Sequence, residues 1–71
     1  MPNHVLDLWN QLKQVDGGVR VHEQELTKAT DVMYLFNAGL IRVVRDGSVY
    51  PAVDLVLSEA GIQRKQTELN N

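Results

Sequence analysis

The stretch from Ala38 to Gly61, AGLIRVVRDGSVYPAVDLVLSEAG, constrains the fold more than any other part of the chain. Gly39 sits where an apolar helical run would stop, because glycine readily takes the left-handed backbone that a helix end requires. Leu40 to Arg45 then reads as a strand and Val49 to Leu57 as its partner. Between them, Asp46-Gly47 predicts a tight type I′ turn, which needs positive φ at both central positions. Pro51 complicates the second strand, since proline cannot donate to a ladder and is confined to edges and bulges. It leaves a rival reading open for residues 51–57: Pro51 could begin a helix whose apolar stripe is Val53, Val56, Leu57 and Ala60. Ser58 is suited to cap a short last helix ending near Leu69, with residues 69–71 expected to fray.

Upstream, Val5, Leu8, Trp9, Leu12 and Val15 recur at helical spacing and predict a helix over 4–15, capped by Asn3 and closed by Asp16-Gly17-Gly18. Val19-Arg20-Val21-His22 alternates and predicts a brief strand. Glu23 to Ala38 reads as the second helix. Its stripe is Leu26, Ala29, Met33, Phe36 and Leu40, widened by Val32 and Leu35. That is more apolar surface than a domain of this size needs to bury, so the excess predicts a docking face or a dimer seam.

Seventy-one residues make a single domain, 1–71, with a marginal core that oligomerisation or a partner would help to stabilise. The 44% hydrophobic share excludes a disordered chain, and the apolar runs are too short to span a membrane. MPNHVLDLW has neither a basic region nor a long apolar segment, so no signal peptide is expected. The chain has no cysteine, which suits a cytoplasmic location and rules out disulfides and thiolate chemistry. A net charge of −2 argues against a broad, sequence-independent grip on phosphates but permits a local basic patch.

The order helix, short strand, helix, hairpin, helix is similar to the winged-helix superfamily. The residues that carry the likeness are Ala38-Gly39-Leu40-Ile41, Arg45-Asp46-Gly47-Ser48, and Leu55 with Leu57-Ser58-Glu59-Ala60-Gly61. The resemblance implies a small α+β domain with a β-hairpin wing, binding DNA or other proteins and rarely catalysing. One departure stands out. Where a DNA-reading member carries two helices and a turn, Glu23 to Ala38 offers about sixteen residues, or ~24 Å of helix. That holds one helix, or one turn plus a short helix, so the helix-turn-helix is truncated. Ala29 to Phe36, followed by Gly39-Leu40-Ile41, also resembles loosely the small middle components of ATPase-linked bacterial conflict systems, which are thought to be adaptors.

Little in the chain points to catalysis. Ser48 and Ser58 lie in a turn and at a cap, outside any G-x-S-x-G elbow, and no phosphate-binding glycine loop is present. His4 and His22 lie too far apart in sequence, with no cysteine near them, to suggest a metal site. No enzyme activity, cofactor, metal, membrane partner or small-molecule substrate is therefore expected. Trp9 belongs to the core, whereas Tyr34 on a polar helix face and Tyr50 in the hairpin suit interface anchors.

The expected function is that of a small regulatory or adaptor module acting through protein contacts or self-association, a role that would also suit a phage or mobile-element inhibitor. Its expected contact residues are Lys28, Asp31, Tyr34, Asn37, Arg45 and Tyr50. The alternative is a dimeric DNA-binding regulator using Lys28, Arg42, Arg45 and Arg64. A third reading is a structural subunit that folds only inside a larger assembly.

Overall fold

The computed structural model describes residues 1–70. Four helices and a three-stranded antiparallel sheet follow one another as α1 (Asn3–Gln14), β1 (Val19–His22), α2 (Glu25–Lys28), α3 (Thr30–Asn37), β2 (Ile41–Val44), β3 (Ala52–Leu57) and α4 (Glu59–Leu69). The sheet order is β1-β3-β2, so the last strand in sequence is central. Val19↔Leu55 and Val21↔Val53 set the register on one side of β3, and Ile41↔Leu57 and Val43↔Leu55 set it on the other. The inward-facing residues of each strand meet α1 and α3 in one core of Val5, Leu8, Trp9, Leu12, Val32, Leu35, Leu40, Ile41 and Leu55.

Three expectations about local structure need correction. Asn3 does not cap α1: the cap position is Pro2, whose carbonyl accepts from the N–H groups of Val5 and Leu6, and Asn3 is already helical. Asp46-Gly47 does not form a type I′ turn, because neither residue takes a positive φ. Instead the Asp46 side chain accepts from the Ser48 N–H and opens a short 3₁₀ turn over Gly47–Val49. The helix expected over Glu23–Ala38 is broken at Ala29, whose extended backbone (φ −83°, ψ 116°) separates a single turn from an eight-residue helix.

That break resets the helical phase. Val32 and Leu35 become the buried residues of α3, while Met33 and Phe36, expected in the core, turn outward. The end of α3 follows the sequence closely. Gly39 (φ +75°) donates its N–H to the Phe36 carbonyl, and Leu40 donates to that of Leu35. This pairing satisfies the last carbonyls of the helix and turns the chain into β2.

Residues 52–57 are strand rather than helix. Pro51 precedes the ladder and contributes its carbonyl, which accepts from the Glu23 N–H. The Tyr50–Pro51 peptide is cis. Ser58 caps α4 as its chemistry predicts: its hydroxyl accepts from the Gly61 N–H and donates to the Gly39 carbonyl. Gly61 packs so tightly on the Leu40 backbone that a Cβ there would collide with the Leu40 carbonyl. The starts of β2 and α4 are thus held together. Leu69 closes α4 and the Asn70 N–H donates to Gln66, while Asn71 lies outside the described residues.

The other end of α4 is tied to α1 through one carboxylate. Glu68 accepts from the indole N–H of buried Trp9 at 3.0 Å and from Lys13 at 2.9 Å. The bond from Lys13, and then that from Trp9, holds the Glu68 carboxyl below its ordinary pKa. Its contribution to stability is therefore complete above the unfolded value of about 4.3 and is lost as pH falls through the lower folded value. We expect Glu68→Gln to melt below the parent at neutral pH, with the difference closing under acid conditions. Melts followed by Trp9 fluorescence between about pH 7 and about pH 3 check this, and a difference that persists unchanged in acid would contradict it.

Candidate functional site

Because α3 buries Val32 and Leu35, its exposed arc carries Met33, Tyr34, Phe36 and Asn37, with Phe36 at the edge next to the core and Tyr34 on the far side. Phe36 is 53% exposed, Tyr34 44% and Met33 37%. Two aromatics and a methionine on eight residues make an unusually apolar surface, and these residue types are enriched in protein interfaces. Beside them runs a surface groove of about 390 Å³, lined by Leu26, Phe36, Ile41, Arg42, Val43 and Arg45. Leu26 of α2 and Phe36 of α3 form one wall, and β2 forms the other. Nothing in the periodicity brings Leu26 and Phe36 to the outer strand of a sheet, since both lie on the stripe expected in the core.

The expected contact residues are scattered over this region and its surroundings. Tyr34 and Asn37 share α3, as does Asp31 in its first turn, where the carboxylate accepts from the Val32 N–H at 2.8 Å. Lys28 ends α2 and is exposed. Arg45 follows β2 and lies 3.6 Å from Glu23, an exposed pair worth little in stability. Tyr50 is 69% exposed in the loop of the hairpin. In that loop Asp46 is held below the ordinary carboxylate range, first by the Ser48 N–H and then by its hydroxyl. No hydrogen bond or ion pair joins any two of the six expected residues to each other among the described residues.

The residues of the nucleic-acid alternative do not converge either. Arg64 belongs to the α1–α4 seam, 3.7 Å from Glu68 and 5.9 Å from the centre of the Trp9 ring. Arg45 is paired with Glu23. Arg42 lines the groove, and like Lys28 it has no ion-pair partner among the described residues. On the outer face of the sheet Arg20 is bound by Asp54, which raises its pKa by hydrogen bonding and then by charge.

The histidines have local roles. The His22 Nδ1 accepts from the Gln24 N–H, and the His4 Nε2 lies 3.3 Å from the Thr30 hydroxyl. No group of three potential metal ligands is found among the described residues. Nor is any described helix long and apolar enough to cross a membrane. Comparison with protein-family models, curated proteins and solved structures finds no match to this chain.

Residues that were missed, chiefly Phe36 and Met33, could have been found from Thr30-Asp31, a pair that favours helix starts and so hints at a second initiation after Ala29. If the α3 surface exists for contact rather than for folding, its truncation should cost little. Phe36→Ser is expected to change unfolding free energy by about 0.5 kcal/mol or less. Leu35→Ala, one helical step away in the core, should cost about 2–5 kcal/mol. Urea unfolding of both variants decides the matter, and equal losses would mean that Phe36 is a core residue.

Proposed function

We propose that this chain is a small non-enzymatic adaptor or regulatory module that works through protein contacts, self-association included. The observation that carries this reading is the α3 surface: a core already satisfied by Val32 and Leu35 leaves Met33, Tyr34 and Phe36 facing outward. Groups of this kind, next to a groove rather than scattered singly, suit a docking face. The order of elements and the strand order β1-β3-β2 support a winged-helix-like description. In it α2 and α3 take the place of the helix-turn-helix, and the β2–β3 hairpin is the wing. The cysteine-free composition suits a reducing cytoplasm.

A DNA-binding regulator is the second reading. Exposed Lys28 and Arg42, neither in an ion pair, favour it. The pairing of Arg45 and Arg64 with carboxylates and the net charge of −2 count against it.

The two readings separate on salt. Phosphate contacts release counterions, so a DNA complex should weaken steeply as salt rises. The protein reading predicts no shift of a mixed-sequence duplex at low salt with protein at about 10–50 μM, a range within which non-specific binders usually associate. It also predicts that a photo-crosslinking residue at Tyr34 traps protein, either a second copy or a partner, while the same residue at Asp7 on α1 does not. A salt-sensitive duplex complex that Lys28→Ala and Arg42→Ala weaken would replace the protein reading with the DNA one.

A further inference from the structure

The two outer strands of the sheet differ in what lies along their free edges. In an antiparallel ladder, alternate residues direct both their N–H and their C=O toward one neighbour, and the residues between them direct theirs the other way. The Ser58 N–H donates to the Leu40 carbonyl, which fixes the phase on β2. Arg42↔Val56 and Val44↔Asp54 are then the bonded pairs with β3, and Ile41 and Val43 direct their N–H and C=O away from it. On the other side, the Glu23 N–H donates to the Pro51 carbonyl, which makes Val19 and Val21 the bonded residues and turns Arg20 and His22 outward.

The β1 edge is closed at its end by a side chain, while exposed Arg20 keeps its outward groups open. The outward N–H of His22 donates to the Glu25 carboxylate at 3.1 Å, and the chain turns at once into α2. The β2 edge has no such side-chain bond among the described residues: β2 ends the sheet, Ile41 is covered at 4% exposure, and half-buried Val43 is the outward residue that stays open. The groove lies along this edge, with Ile41 and Val43 among its lining and Leu26 and Phe36 above it. An unpaired edge is a template for another strand, and the common protections are charge, proline, a bulge or a covering element. Here the charge is that of Arg42, which has no ion-pair partner among the described residues, and of Arg45, which lies 3.6 Å from Glu23.

We propose that the free edge of β2 takes up an extended segment of a partner protein as a fourth strand, and that this segment alternates apolar and acidic residues. The proposal rests on the protein-docking reading and names the chemistry of its partner. Main-chain bonds to Val43 supply a sequence-independent hold, as in strand addition generally. Alternate side chains of an added strand point to opposite faces. One set enters the groove against Leu26 and Phe36, and so is apolar. The other set lies beside Arg42 on the outer face, and so is acidic. A second copy is the poorer occupant, because β2 paired on itself about a twofold axis would crowd two copies of Arg42 and Arg45 onto one short ladder, and like charges across a ladder are destabilising.

The test is an NMR titration of the whole protein with an acetylated and amidated peptide of sequence Glu-Val-Glu-Phe-Glu-Val-Glu. The expected result is saturable binding, with the largest shifts at Val43 and Phe36 and slowed amide exchange at Val43. Val43→Pro removes an outward donor while sparing the bonds to β3, and should weaken binding about tenfold. The same peptide N-methylated at alternate amides should bind about tenfold more weakly to the unaltered protein, so the result does not depend on the variant folding. A lysine-for-glutamate version should also bind less well.

Equal binding of the N-methylated peptide, or no binding up to about 1 mM, would overturn the proposal. So would self-association of the pure chain that Val43→Pro abolishes, since the occupant would then be a second copy. Loss of the peptide result with continued trapping of protein at Tyr34 would remove the strand-addition idea and leave the docking reading in place.

Discussion

Among the described residues β3 is the one strand bonded on both sides, and the rest of the molecule depends on that position. Leu55 is fully buried and is the register partner of both Val19 and Val43, so one side chain sits where α1, α3 and two neighbouring strands converge. Placing the last strand in the centre requires the chain to bring together segments about thirty-five residues apart before their pairing is rewarded, a contact whose loop-closure cost is repaid by burial. Once β3 is seated, β1 and β2 become edges, α4 leaves from its end, and the core closes around Leu55. The same placement decides which backbone groups stay open to a partner.

The second constraint is the break at Ala29. A continuous helix from Glu23 to Ala38 would have buried Met33 and Phe36. The extended backbone at Ala29 rotates α3 relative to that stripe and puts Val32 and Leu35 in the core. The aromatic surface of α3 is therefore a consequence of a local backbone event rather than of composition. It also puts Leu26 and Phe36, which share a stripe only in the unbroken helix, on two separate helices that line the same groove.

Much of this was legible in the sequence, in ways that track the strength of each local signal. Helix α1 follows from four apolar residues at strict helical spacing, and those four, Val5, Leu8, Trp9 and Leu12, are the ones buried. Ser58 and Gly39 work as their side chains, or lack of one, predict. Pro51 was ambiguous because its missing donor is tolerated equally at the start of a helix and just before a strand, and only the pairing of β3 with β1 decides between them. The break at Ala29 is faintly marked, because alanine is the best helix former and the one local hint is the helix-start pair Thr30-Asp31, although the length of the segment allows one turn plus a short helix. The Asp46-Gly47 turn was misread because the Asp46 carboxylate found a competing bond, to Ser48. The open edge of β2 had no sequence signal at all, since strand order is a long-range property. Of the expected contact residues, those on α3 lie together, while Tyr50, like Arg64 of the nucleic-acid alternative, lies apart from them for the same reason.

Amide hydrogen exchange on the isolated protein tests the central placement of β3 most directly. The account predicts a contrast along β2, with slow exchange at Arg42 and Val44 and fast exchange at Val43, the outward residue that is not buried. It also predicts slow exchange at consecutive residues 53–56 of β3, whose amides point to both neighbours in turn. Uniformly fast exchange through β3, or uniform protection along β2, would contradict the strand order β1-β3-β2 with an open edge.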